Sequence, residues 1–466
     1  MALVANAPPP APAVALRRDL GVWAVAGVVI GDMLGSGIFF TPGELAAVAD
    51  ASWQIYALWA LAGGITLCGA LTLAELASRV PQAGAPFHVI HESFGPFLAF
   101  ATMWMQVWVA GPGSIAGVAI AFGEFVVRAG GGLERWPAPA WGVAGIAFFV
   151  GINLLGVRWG GRTQIALTAS KIGGLLALVV GSLFVAGAVA SPAAGGPSAP
   201  TAGSGLLDFI RVVGLGIGAV LFTYDGWIDV SYLSGEVKDP KRHLSRGLGF
   251  GVAAVTLLYL VVNYAYLRVV PLDAMRAAPT TIAVDAARAV FGPTGGAFLN
   301  ALVMLSIFGA LGGLIMTLPR LYYAAAAQYA RETAGRNGAV SIFRALSFVT
   351  PRTAVPAGSV LFAGIAATLA LLFFGTFSRI VNFFVVPLQL NNILMVAAVF
   401  RMHRLASNEP DAFRAPGYPV LPLVYIGVIA FFLVSAIIFR PYETLAGVGL
   451  TMTAAPAYWL IFRRAR

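Results

Sequence analysis

The chain has one cysteine in 466 residues, Cys68, and it lies inside an apolar run. That count excludes a disulfide framework and a cysteine-built metal site within one chain. Histidine is almost as scarce: His88, His91, His243 and His403 all sit in or beside loops. His88 and His91 are spaced i, i+3, yet no acidic or cysteine ligand completes a set around them, so both read as structural and no metal is expected. Charged residues make up only 10% of the chain, against about 25% in soluble domains. Too few charges remain to cover a surface facing water, whereas lipid suits such a surface. No GxxxxGK[ST] phosphate loop, no HExxH pair and no nucleophile–histidine pair occurs. An ATP-driven pump within this chain and a membrane-embedded enzyme are therefore excluded, and no cofactor is expected.

Apolar sequence is abundant: 59% of residues are hydrophobic and the mean hydropathy is +0.85. Counted in runs of about 20 apolar residues, twelve spans emerge. The first five cover 20–48, 53–78, 94–127, 138–157 and 163–188. The next five cover 208–234, 246–270, 293–329, 355–375 and 377–400, and the last two 419–438 and 442–462. The expected fold is thus an all-α polytopic membrane protein with twelve transmembrane helices. Residues 1–16, rich in Ala and Pro, read as a disordered cytoplasmic tail rather than a signal peptide. A Pro/Gly/Ser/Ala linker fills 191–207, and the less apolar 271–290 stretch predicts a short helix at the surface.

The formal charge is +10, nearly all of it from arginine. The bases sit in short loops between spans, so nucleic acid is not a partner. With the N-terminus inside, twenty bases fall in cytoplasmic loops and seven outside, leaving Lys171 and Arg379 within spans. That bias puts both termini in the cytoplasm and the chain in the inner (plasma) membrane.

Two spans do not read as plain helices. The first contains Gly31-Asp32-Met33-Leu34-Gly35-Ser36-Gly37-Ile38. The sixth contains Gly214, Gly216 and Gly218, then Phe222-Thr223-Tyr224-Asp225-Gly226-Trp227. Each glycine weakens a helix by about 1 kcal/mol relative to alanine. Unwound backbone at membrane depth survives only where it lines a cavity. The interrupted spans open two five-span halves, the pattern of an inverted-repeat transporter with its site at the midplane. Close helix packing on small residues is the competing explanation of the glycines.

The residues resemble a known group. Gly35-Ser36-Gly37-Ile38-Phe39 resembles the first-helix signature of the amino acid–polyamine–organocation superfamily. Pro81 through Pro86, with Phe94-Gly95-Pro96, resembles its first cytoplasmic loop. Phe222 to Trp227, then Glu236-Val237-Lys238-Asp239-Pro240, is similar to the sixth helix and following loop of the L-type amino acid transporters and their bacterial relatives. Pro319-Arg320 with Tyr323-Ala324 matches the end of the eighth helix. The resemblance implies a five-plus-five inverted-repeat core, broken at helices 1 and 6, with two peripheral helices and alternating access. The halves fall at 17–190 and 208–400, and 401–466 holds helices 11 and 12 with the cytoplasmic C-terminus. Animal L-type transporters join a glycoprotein through an extracellular cysteine. Cys68 stands in a span, so no disulfide-linked heavy subunit is expected.

An amino acid substrate brings a carboxylate and an ammonium. The helix N-terminus after the first break favours an anion. The N–H groups of Ser36, Gly37 and Ile38, with the Ser36 hydroxyl, are expected to bind the carboxylate, and the resemblance implies the same. Carbonyls freed at Asp32, Met33 and Leu34, beside Gly35, and at Phe222, Thr223 and Tyr224 are expected to take the ammonium. Phe222 matches the family's aromatic gate. Asp225 could contact the ammonium or hold the unwound backbone next to Gly226. Lys171 lies deep in the fifth span, where a lysine costs about 2.5–3.5 kcal/mol unless it finds a partner. The resemblance places Lys171 where sodium-coupled relatives bind a cation, which leaves proton coupling or exchange. Asp32 departs from the family pattern: it either pairs or shuttles a proton with Lys171, since two opposite buried charges cost less together than alone, or faces the substrate ammonium or water. Glu75 and Arg79 read as an interfacial i, i+4 pair, and Trp104 and Trp108 as packing.

The reading is sodium-independent transport of small or neutral amino acids, as exchanger or proton symporter. A polyamine or organic-cation carrier and a non-transporting amino acid sensor on the same fold are the alternatives. A channel lacks its repeated filter motif here.

Overall fold

A computed structural model describes residues 20–35, 37–80, 85–155, 161–185, 206–277, 279, 281–332, 339–350, 355–405 and 414–462. Among these the chain is helical, its only β pairing an isolated parallel bridge from Leu20 to Val237. Eight helices are long and apolar enough to cross a membrane, or nine when Val22–Met33 and Gly37–Val48 count as one span bent by 51°. Three shorter apolar helices, Ala138–Leu154, Ala169–Phe184 and Ile210–Thr223, lie where the fourth, fifth and sixth spans are expected. The tail at 1–16, the loop at 81–84 and most of the linker lie outside the described residues.

The helices pack as two groups. In one, the seventh span (Pro240–Val269) lies along both the second (Ser52–Arg79) and the first. In the other, the third span (Pro96–Ala129) is surrounded by the fourth, eighth (Ile282–Ala327) and ninth (Ala357–Phe374). Large aromatics fill the first group: Trp59, Tyr224 and Tyr259 are fully buried, their rings 4.9–5.8 Å apart. Such pairs add about 0.5–1.5 kcal/mol each beyond the area they bury. The third span contains one wide π turn at Gln106–Ala110. There the Gln106 carbonyl accepts the Gly111 N–H and also the Tyr322 hydroxyl at 3.3 Å. Trp104 and Trp108 pack as expected, their rings 5.6 Å apart, with Trp104 Nε1 donating to Thr453 Oγ1 at 2.8 Å.

The 271–290 stretch differs from a simple surface helix. It forms a short helix, Leu272–Ala277, and the start of a longer one whose break at Gly292 (φ 75°) marks the entry to the eighth span. Met275, Ile282, Ala283, Ala286 and Ala287 are buried. Arg276 donates to the carbonyls of Ala46 at 3.0 Å and Ala49 at 2.7 Å, closing orphan acceptors at the end of Gly37–Val48.

Glu75 also departs from expectation. The pair with Arg79 forms at 2.6 Å, but Glu75 is fully buried rather than interfacial. Its Oε1 also meets His403 Nε2, at the end of the tenth span, and Oε2 accepts the Ala415 N–H at 2.7 Å. His403 in turn stacks on Tyr418, ring centroids 4.0 Å apart. A carboxylate taken out of water needs such partners, and these come from 328 and 340 residues along the chain.

Candidate functional site

Both glycine-marked interruptions are present and face each other. The first helix ends at Met33, Leu34 forms its C-cap, and a new helix starts at Gly37. Ser36 lies outside the described residues. The sixth span stays α-helical to Thr223, turns through Tyr224–Ile228, and continues as a 3-10 helix, Asp229–Glu236, instead of an α-helix. Gly226 has φ 104°, a conformation that side chains with a Cβ rarely adopt. A methyl there would also come within 2.9 Å of the Asp32 backbone. Gly37 is glycine for a different reason: a methyl on it would collide with the Thr223 side chain. The two breaks therefore touch at two points, Gly37 on Thr223 and Gly226 on Asp32. Hydroxyls reinforce the first, since Thr41 Oγ1 and Thr223 Oγ1 share a hydrogen bond of 2.5 Å and Thr223 donates to the Ala219 carbonyl at 3.2 Å.

The carbonyls of the breaks are mostly in use. Met33 O accepts the Gly35 N–H at 2.7 Å and the Tyr259 hydroxyl at 2.6 Å. Tyr259 lies 3.2 Å from Thr223 O as well, so one phenol spans both broken helices. Lys171 Nζ donates to Leu34 O at 3.1 Å. This corrects the expectation of free acceptors for a substrate ammonium at Met33 and Leu34. It also corrects the Asp32–Lys171 pair: Lys171 is buried against Leu34, Asp32 is exposed, and no ion pair joins them among the described residues. The partner that a buried lysine needs is a helix-end carbonyl, which carries partial negative charge of its own.

The other expected residues divide. Ile38 is buried. Tyr224 is buried with its hydroxyl on the Trp59 carbonyl at 3.1 Å, so only its backbone belongs to the break. Asp225 is half-buried in the turn, its N–H donating to the Phe222 carbonyl at 3.2 Å. Asp229 is exposed and feels the charges of Asp32 and Asp225. Phe222 is half-buried, edge-on to Phe377 at 5.4 Å and Phe384 at 5.8 Å. Phe377 stacks on Phe40 at 5.0 Å, and Phe40 meets Phe125 at 5.3 Å. An aromatic cap from the first, third, sixth and tenth spans thus covers the breaks on the face away from the termini. Among the described residues, no group of three His, Cys, Asp or Glu could hold a metal ion.

Tyr259, Thr41 and the partners of Phe222 in the aromatic cap were not anticipated. The one signal for Tyr259 was its recurrence with Asn263 and Tyr266 at helical spacing inside an apolar span.

Comparison with known proteins gives the family. A family model described as amino acid permease matches residues 20–462. The serine/threonine exchanger SteT of Bacillus subtilis is 27% identical over 452 residues, 96% of this chain and 98% of the relative. The b(0,+)-type amino acid transporter 1 of Mus musculus is 26% identical, over 91% of this chain and 84% of its own. The human cystine/glutamate transporter is 25% identical, over 97% and 87%. With eight or nine helices long and apolar enough to cross a membrane and three shorter apolar ones among the described residues, two broken helices in contact and a family match along nearly the whole chain, this protein belongs to the amino acid permease family, whose members are multi-pass membrane transporters and not enzymes.

Proposed function

We propose that the chain exchanges small neutral amino acids across the inner membrane without sodium, by alternating access and with both termini in the cytoplasm. The observation that carries this reading is Lys171. Its buried ammonium sits on the Leu34 carbonyl at the first break, occupying the acceptor and the positive charge that a coupling cation would supply. Exchange is supported by the relative named as a serine/threonine exchanger. The N–H groups of Gly37 and Ile38 open a helix and have no intrahelical acceptor; with Ser36 they are the seat proposed for the substrate carboxylate. Phe222 closes the far side of the seat. Thr223 O and the break around Asp225 and Gly226 receive the ammonium. Orientation rests on the arginine bias of the loops. Cys68 is half-buried in the second span, so no heavy subunit is proposed through it.

Uptake of labelled serine, threonine and alanine into sodium-free proteoliposomes tests the proposal. Uptake that requires preloaded amino acid is the expected result. Uptake driven by a pH gradient into empty vesicles would replace exchange with proton symport. A second reading is favoured by one observation, the proximity of Asp229 to both Asp32 and Asp225: a carrier of organic cations would use those carboxylates. Uptake of a diamine in preference to serine would establish it.

A further inference from the structure

Beyond the aromatic cap, on the side away from the termini, lies a small cavity lined by residues of four segments. Thr41 and Glu44 come from the first span, Phe222 from the sixth, Ser378 and Asn382 from the tenth, and Arg440 from the start of the last. Phe222 and Phe377 of the aromatic cap line it, their rings edge-on at 5.4 Å. An acid and a base of different spans face this one space. Ser378 stands between them: Arg440 Nη1 donates to Ser378 Oγ at 2.7 Å, and Ser378 also interacts with Glu44. Of the neighbouring charges, Arg379 pairs with Glu443 at 3.8 Å, and Glu124 of the third span lies near enough to feel both Arg128 and Glu44. Glu44 and Arg440 feel each other's charge across the space.

The geometry points to a second binding site for an α-amino acid zwitterion, outside the aromatic cap, with Arg440 for its carboxylate and Glu44 for its ammonium. This rests on the reading of the chain as an amino acid exchanger. A zwitterion carries both charges on one carbon, and a carboxylate facing a guanidinium across a short gap is the complement of that pair. Asn382 supplies a further donor and acceptor, while Val48, Ala219 and Val381 offer an apolar wall for the side chain. In the conformation described the cavity has a volume of about 30 Å³, room for water but not for an amino acid. Ser378 then satisfies Arg440 in place of a ligand. The site fills when the far face opens and Ser378 yields its contacts, and the substrate passes from it under Phe222 to the breaks.

The test uses the full chain in proteoliposomes of known sidedness and measures KM for serine separately on the two faces. Glu44→Gln and Arg440→Gln are each expected to raise KM on the far face about tenfold, the loss of one charged hydrogen bond, and to leave KM on the terminal face within about twofold. Equal changes on both faces, or no change on either, would overturn the site. So would leakage of preloaded serine without external amino acid, because that marks the charges as a gate only. Glu44→Asp keeps the charge on a shorter arm and guards against misfolding; its far-face KM is expected between those of wild type and Glu44→Gln, and a value equal to wild type in a folded protein counts against the site. Wild-type protein that exchanges no amino acid sinks this proposal together with the proposed function, whereas wild-type exchange with symmetric variants sinks this proposal alone.

Discussion

Tyr259 donates its hydroxyl to the Met33 carbonyl at 2.6 Å, from a ring that is fully buried in the seventh span. The same oxygen is 3.2 Å from the Thr223 carbonyl. One proton therefore serves two acceptors, each at the end of a different broken helix. Tyr259→Phe leaves packing intact and removes that donor. The expected result is an exchange rate lowered about tenfold with KM changed less than about twofold, and a loss of about 0.5–1.5 kcal/mol in stability for the missing hydrogen bond, since the Met33 carbonyl keeps the Gly35 N–H. Exchange kinetics in proteoliposomes and thermal melting in detergent check both parts. A variant with wild-type rate would confine Tyr259 to packing.

Gly35 and Gly37 stand two residues apart and are predicted to respond oppositely. A methyl at Gly35 meets nothing within 4 Å, whereas one at Gly37 strikes Thr223. Gly35→Ala is expected to fold normally and to raise KM, since the methyl enters the space offered to the substrate. Gly37→Ala is expected to force the breaks apart and abolish uptake. Parallel melting curves and uptake assays separate the two; equal effects would contradict the contact geometry.

At Gly226 two penalties combine. Left-handed backbone costs a residue with a Cβ about 1–2 kcal/mol, and the added methyl also crowds Asp32. Gly226→Ala is expected to melt earlier and to lose transport. A variant as stable as wild type would mean that the turn relaxes to another conformation.

Lys171 and Asp32 are predicted to act independently. With Lys171 on the Leu34 carbonyl, the effects of Lys171→Ala and Asp32→Asn on transport should add in the double variant to within about 0.5 kcal/mol, a factor of roughly two in rate. Coupling well beyond that in a double-mutant cycle would show that the pair forms in another conformation.

Glu75→Gln removes the charge at the centre of the Arg79–His403–Ala415 cluster. Buried pairs broken on one side cost about 3–5 kcal/mol, so a lower melting temperature is expected. A smaller loss would place the cluster in contact with water.

Which of these features could be read in advance follows from how local their causes are. The spans are visible because lipid demands continuous apolar runs. The first break is visible because its glycines weaken a helix, and a new helix does start at Gly37; in the sixth span only Gly226 marks the break, while Gly214, Gly216 and Gly218 lie within the continuous helix Leu206–Thr223 and pack closely on Ser435, Leu58 and Phe432. Lys171 announces itself as a lone cation in a span, yet its partner depends on where a side chain points after packing, and the obvious acid, Asp32, faces away. Tyr259 reads as one aromatic among many until the seventh span is laid against the first. Glu75 looks like half of a local pair because its two other partners lie far along the chain. The 3-10 course of Asp229–Glu236 is also a tertiary result: the Lys238 N–H bonds the Leu20 carbonyl at 3.1 Å and draws the segment towards the start of the chain.

The π turn at Gln106–Ala110 sets the phase of the third span. Five residues occupy a turn that ordinarily takes fewer. Before the turn, Phe100 and Trp104 face Tyr458 and Thr453 of the last helices. After it, Gly113 lies against Phe384 and Phe125 against Phe40. A regular α-helix turns about 100° per residue. The wide turn takes up its extra residue locally, so a deletion inside Gln106–Ala110 would restore a regular turn and largely keep the phase, whereas a deletion in the regular helix on either side would swing one half by that angle and present the aromatic cap with a different side of the third span. The place of the extra residue, and not the residue count alone, thus specifies direction along the third span.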